Sequence, residues 1–431
     1  IAFLVFSSLE STAREFRQLF VDSSDFSVLI SWTVDEVEDF SRILHSQVFL
    51  SDSFETTARC LEIAHLHCKT LERQGLSLNF FLRKLFQKDL SNAVDAVLMR
   101  MRSTLKTAVD SDKWKPKAWN GTLCQDTQET PSQHMLTRSA RMLVQEVDNF
   151  ASNVANVLNS EIFVSVIQGI SECIQDVLNG YKEAVTSGKL SNHDQFLAII
   201  NNIHCMGEFL IPHVRNEFQK LSRQTSDLLH LQVLLDQTKG SLTSSYIRRV
   251  FSSLADSHLK SGARPYPEIP FRSGRHASCS AFIGDAILSV TALLRSVRRL
   301  LSSDQMDDLV STCPLLLAEV LCEDQNGFWR KMGFLINGMR THFALPPEEY
   351  NQVVLDLRFV LHYFGSWVSP ESDEKIHSLL ARLDELWDAE YGPGNCRSVL
   401  LEEKEFTAGL ERLASSAQFA DGYRFFHHEE E

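Results

Sequence analysis

The feature that most constrains this chain is a helical apolar period that recurs along nearly its whole length. In one clear stretch Phe26, Leu29, Ile30, Val34, Val37, Phe40, Leu44 and Val48 follow one another mostly at steps of three and four. At about 3.6 residues per turn such a series makes one broad stripe on a helix, and the stripe must be buried against another element. The next stretch repeats the spacing with Phe54, Ala58, Leu61, His65 and Cys68. Asp52 or Ser53 stands before it as a candidate N-cap, and Gly75 stands after it as a stop. The pattern predicts helices over 2–21, 26–49, 52–73, 77–108, 134–158, 161–186, 192–220, 225–237, 243–260, 278–302, 304–323, 326–343, 347–367, 370–390 and 402–416. No segment of strand length alternates with period two. The fold class is therefore all-α, and short turns between helices make neighbours antiparallel. No fixed repeat is readable, which argues against tetratricopeptide arrays.

Two stretches break the pattern. Residues 110–133 are polar, lack a stripe and hold Pro116, Gly121 and Pro131, so they are expected to form a loop. Residues 261–276 contain three Pro and two Gly and read as a Pro-rich linker. The expected division is one or more helical bundles over 1–260, the linker 261–276, and a C-terminal bundle over 277–431 that ends in a short polar tail.

Composition narrows the function. Hydrophobic residues make up 44% of the 431, enough to build a core. The net charge of −14 is the wrong sign for a nucleic-acid binder or for a protein held on anionic lipid, so neither nucleic acid nor direct membrane insertion is expected. Nine Cys, an odd number without framework spacing, read as reduced cytosolic thiols, and the sequon Asn120-Gly121-Thr122 is then inert. Apolar runs fall short of the roughly 20 residues that a membrane span needs. The chain starts at Ile1 without a signal-peptide pattern and is expected to be a fragment.

Candidate chemistry is sparse. The densest metal-like group is Cys60, His65, His67 and Cys68. On a helix His65 and His67 face different ways, and only His65 and Cys68 converge, whereas a structural zinc takes four ligands. Packing is the expected role. His204-Cys205 and the terminal His427-His428-Glu429-Glu430-Glu431 are weaker still. Gly188-Lys189 is not a phosphate loop, because Glu183 and Leu190 occupy the positions where Gly and Ser or Thr are needed. Asp304, Asp307 and Asp308 follow Ser302-Ser303, as acids do in a first helical turn. One linear motif is formally intact. Arg264, Pro267 and Pro270 have the spacing of polyproline segments that dock in aromatic grooves, although a plain linker explains them as well. Neither a catalytic residue nor a cofactor site emerges.

Residues 8–20 and 47–80 resemble the exocyst complex component eight family. The second region carries Gln47-Val48-Phe49, Ala58, Cys60, Ala64, Cys68, Leu71, Gly75-Leu76, Leu78 and Phe80, and Lys88-Asp89-Leu90 continues it. Leu210-Ile211-Pro212 sits in a stretch similar to a family helix with a Leu-x-Pro step. Farther on, Gln352-Val353-Val354-Leu355-Asp356-Leu357-Arg358-Phe359-Val360 is similar to the plant-type subunit, so the likeness is animal-like in the first half and plant-like in the second. The insert 110–133 departs from the animal pattern. These are packing signatures. The resemblance implies an elongated rod of stacked helical bundles that tethers secretory vesicles at the plasma membrane. It implies a cytoplasmic, peripherally associated scaffold with the other exocyst subunits as partners. Small GTPases or membrane-fusion proteins would engage regions outside this chain. The alternative is a generic helical scaffold or small-GTPase effector in another trafficking pathway.

Overall fold

A computed structural model describes residues 1–20, 26–49, 53–119, 134–155, 160–190, 192–219, 226–261, 278–322, 347–391 and 403–427. Within them the chain is almost wholly helical. The helices are α1 (Ala2–Leu19), α2 (Phe26–Leu44), α3 (Phe54–Arg73), α4 (Asn79–Asp110), α5 (Arg138–Ala155), α6 (Ser160–Thr186), α7 (His193–Cys205) and α8 (Ile211–Gln219). They continue with α9 (Ser226–Ser261), α10 (Ala281–Val297), α11 (Ser303–Cys322), α12 (Pro347–Phe364), α13 (Pro370–Tyr391), α14 (Glu403–Ser415) and α15 (Ala420–His427). Wider π-helical turns, His45–Phe49 and Met206–Leu210, extend α2 and α7.

Local sequence sets the ends of α3. Ser53 is its N-cap, and its side chain accepts a hydrogen bond from the Thr56 amide at 3.3 Å. At the other end Gly75 adopts φ +84°, and the Leu76 amide turns back to the Leu71 carbonyl at 3.0 Å. A side chain would strain that left-handed backbone, which is why glycine ends the helix there.

The structure corrects the sequence reading in four places. The two helices expected over 225–237 and 243–260 are one helix, α9. Gly240 weakens a helix interior by only about 1 kcal/mol. Buried Leu235, Thr238, Lys239, Leu242, Thr243 and Tyr246 hold one face of the helix down across it. Second, residues 134–136 do not begin a helix, and part of the expected loop at 110–133 is a strand. Strands β1 (Lys117–Trp119) and β2 (His134–Leu136) pair antiparallel, with Ala118 opposite Met135. Three residues are too few to show an alternating pattern in the sequence. Third, α15 follows a turn at 416–419 and was not foreseen. Fourth, Ile30, assigned to the buried stripe of α2, is exposed. The helix expected over 326–343 lies outside the described residues, as do residues 262–276 of the linker.

The described chain divides into two compact units, one of Ile1–Glu183 with Asn201–Leu235, the other of Ala184–Ile200 with Asp236–Glu431. In the first unit, alternate helices run in the same direction. Glu10 meets His67 and Arg17 approaches Gly75, so α1 and α3 are parallel. Phe40 meets Phe86 and His45 meets Asp89, so α2 and α4 are parallel. The pair α4 and α6 shows the tightest register. A Cβ on Gly169 would lie 2.3 Å from Leu98 Cδ1, and one on Gly180 would lie 2.4 Å from Val109 Cγ1. The two glycines are spaced as the two apolar residues are, so each is a notch for one knob. Between them Arg102 donates to Glu172 at 2.6 Å and to Asp176 at 2.8 Å.

The second unit is centred on α12. Its Tyr363 is fully buried among Phe359, Phe364, Phe419 and Phe426. Ser280 meets Asp356 and Thr291 meets Tyr363, so α10 and α12 are parallel. Elsewhere in this unit Arg249 of α9 donates to the carbonyls of Val185 at 2.9 Å and Leu190 at 2.7 Å. Its guanidinium also lies over the Tyr246 ring, which stacks on Phe196 at 4.0 Å.

Candidate functional site

The residues singled out in the sequence do not form a reaction centre among the described residues. His65 Nδ1 lies 3.2 Å from Asn79 Oδ1. Burial holds the His65 imidazole below its ordinary range, against the Asn79 hydrogen bond and with help from Arg83 and Lys69. His67 faces another way, 2.9 Å from Glu10 Oε1 and beside the rings of Phe3 and Phe6. Cys68 is fully buried, and burial pushes its thiol up to about 12. Cys60 is half-buried. Among the described residues no group of three or more His, Cys, Asp or Glu could hold a metal ion. Asp304, Asp307 and Asp308 are exposed along the first turns of α11. That helix starts in a reciprocal cap, with the Ser302 hydroxyl accepting from the Gln305 amide and the Gln305 side chain accepting from the Ser302 amide. Gly188, with φ +75°, and the exposed Lys189 lie in the turn after α6. Arg264, Pro267 and Pro270 lie outside the described residues, as does the tail beyond His427.

Two buried polar clusters went unread in the sequence, because each joins residues far apart in the chain. In the first unit Asn202 donates to the Tyr181 hydroxyl at 3.3 Å and to Thr137 Oγ1 at 2.9 Å, while its carbonyl oxygen accepts from the Thr137 amide at 3.1 Å. Asp112 accepts from the amides of Trp114 at 2.9 Å and Ser139 at 2.8 Å. Asn201 adds a bond to the Met135 carbonyl at 2.8 Å, so the cluster anchors the base of the hairpin. Burial moves Tyr181 above its ordinary range, which makes it a neutral structural hydroxyl. The other cluster surrounds Asp356 in the second unit. Burial raises this carboxyl to about 7, although hydrogen bonds from Ser280 and Gln352 pull the other way.

The remaining candidate is surface. Among the described residues the exposed large apolar side chains all belong to the first unit. They concentrate in its first three helices and the start of the fourth, where Phe80 is 78% exposed, Leu19 75%, Leu4 70%, Leu66 64% and Phe3 60%. Apolar side chains of this size are what partner contacts cover where they join into one exposed patch.

Comparison with known proteins points to the same segment. Residues 1–79 match the family model described as Exocyst component 84 C-terminal. The chain is 26% identical over 217 residues to exocyst complex component EXO84B of Arabidopsis thaliana, which covers 48% of this chain and 28% of that protein. It is 37% identical over 92 residues to exocyst complex component 8 of Rattus norvegicus, covering 21% and 13%. With the Homo sapiens component 8 it shares 32% over 113 residues, covering 26% and 16%. The chain thus spans less than a third of the length of these relatives. The matches support its reading as an Exo84-type exocyst component.

Proposed function

We propose, with this kinship to Exo84-type exocyst components as the premise, that the chain is a non-catalytic scaffold in an exocyst assembly that docks secretory vesicles at the plasma membrane. The observation that carries the reading is the coincidence of the matched residues, 1–79, with the densest set of exposed apolar side chains. A scaffold works by holding contact residues at fixed spacing. The parallel helix registers of the first unit do this, because each is set by more than one interlocking contact. Sister subunits are the partners this reading requires. Small GTPases and membrane-fusion proteins would meet other parts of the assembled protein. The reading takes its association with the vesicle and the plasma membrane as peripheral; among the described residues no helix is long and apolar enough to cross a membrane.

The test is co-purification of the full chain from cells, followed by mass spectrometry of what is retained. The expected result is recovery of exocyst subunits, reduced by Leu66→Glu together with Phe80→Glu while helicity and melting temperature hold. Retention of a different trafficking assembly, with no exocyst subunit present, would sink the reading.

A further inference from the structure

The start of α10 is fastened to α12 by a carboxylate that meets no cation among the described residues. Asp356 is 5% exposed and Ser280, the N-cap of α10, is 3% exposed. The Ser280 amide donates to Asp356 Oδ1 at 3.0 Å, and the Ser280 hydroxyl bonds to Oδ2. That hydroxyl makes no bond to its own helix, unlike an ordinary capping serine. One turn before Asp356, Gln352 donates to Oδ1 at 3.0 Å and to the Ser278 carbonyl at 2.8 Å. All three donors to the carboxylate are neutral.

The surrounding charges do not compensate it. From the α10 side the titratable groups are Cys279, whose thiol is raised by burial and by Asp356 and Asp285, and Asp285 itself. The acids of α11, Asp304, Asp307 and Asp308, are exposed. From α13, Asp384 and Asp388 act on Tyr350 in the first turn of α12. Arg358, the cation nearest in sequence, lies over the Phe406 ring of α14 at 4.8 Å, and α15 places Tyr423 against His362. A buried ion of this kind is destabilising unless it is neutralised, and with no cation against it among the described residues a proton does so.

We propose that Asp356 and Ser280 form a proton-gated latch, closed on α12 while the carboxyl carries its proton and loosened when the proton leaves. The neutral acid keeps the whole pattern, since Oδ1 still accepts from the Ser280 amide and from Gln352, while Oδ2–H can donate to the serine hydroxyl. The raised carboxyl fits this, and the sign follows. A folded-state pKa of about 7 against an ordinary 3.8 means that the closed form binds the proton more tightly than the open one. Stability from the latch is then full below the ordinary value, falls as pH rises through the interval, and levels off above about 7. The range includes near-neutral pH, so modest acidification would tighten the start of α10.

The test is hydrogen exchange of the full chain, read at the amides of 281–286 from about pH 5 to about pH 8 and divided by the intrinsic exchange rate. The expected opening equilibrium rises by up to roughly tenfold per pH unit below about pH 7 and then flattens. Asp356→Asn should abolish that slope, because the amide keeps the shape without the charge. An equal slope in wild type and Asp356→Asn would overturn the latch. If Asp356→Asn fails to fold, infrared titration of the wild-type chain decides. A buried protonated carboxyl band that disappears near neutrality supports the latch, and the absence of any such band below pH 6 refutes it.

Discussion

The two units hide different things. The first buries neutral polar groups, such as Tyr181, Asn202 and Thr137, which satisfy one another, and leaves large apolar side chains facing out. In the second, the described large apolar side chains are covered, and beside neutral groups such as Thr243, Thr291 and Gln352 it buries charged ones. Asp356 meets no cation among the described residues, and Lys239, 5% exposed, reaches Asp236 at 2.8 Å. Apolar exposure is a feature that binding can relieve, whereas an uncompensated carboxylate is one that protonation can relieve. The same helical architecture therefore offers two different handles, one for partners and one for solution conditions.

The contrast can be broken most forcefully in the first core. Leu61 is 2% exposed at the centre of α3. Leu61→Asp should destabilise that unit by about 3–5 kcal/mol, since a buried carboxylate without a partner is left behind. Thermal unfolding followed by circular dichroism measures it, and an unchanged melting curve would mean that the face is not buried. The next effect concerns pH. Raising pH from about 5 to about 7 should weaken the second unit by up to about 1.4 kcal/mol per pH unit, while the first unit, whose buried His65 is held below its ordinary range, should gain stability over the same interval. Unit-resolved hydrogen exchange separates them, and equal slopes would erase the distinction. Third, Gly180→Val should cost about 1–3 kcal/mol by forcing α6 away from Val109. Denaturant midpoints would show it, and a neutral result would mean that the pair is looser than its register. The smallest effect is at the surface. Leu66→Ser and Phe80→Ser should change stability by no more than about 0.5 kcal/mol, yet should weaken capture of sister subunits. A large loss of stability would show that these side chains support the fold.

Much of this was legible in the sequence where a stripe is long and its partner helix lies close by. Ala58, Leu61 and Cys68 sit where the period of α3 put them, and Gly75 ends that helix as expected. The stripe of α2 was drawn too wide, because Ile30 follows Leu29 by one residue and points about 100° away from it. The sequence pattern divides α9 between 237 and 243, because local propensity cannot see the packing that overrides it. Asp356 gave no signal at all. Its meaning depends on Ser280, brought to it only by the parallel placement of α10 and α12. For the same reason the exposed positions Leu66 and Phe80 could not be told from core leucine and phenylalanine by type alone.

The notches at Gly169 and Gly180 bear on how the first unit would carry a load. If α6 were pulled lengthwise past α4 by one helical turn, about 5.4 Å, the glycines would leave Leu98 and Val109. Side chains such as Cys173 or Val166 would take their place, and neither has room for the incoming knob. Arg102 would also lose its grip on Glu172 and Asp176. Sliding is therefore not a soft motion with many small stops. It is a ratchet with a single seated tooth position, so tension applied to this pair would be resisted stiffly until the contact failed as a whole.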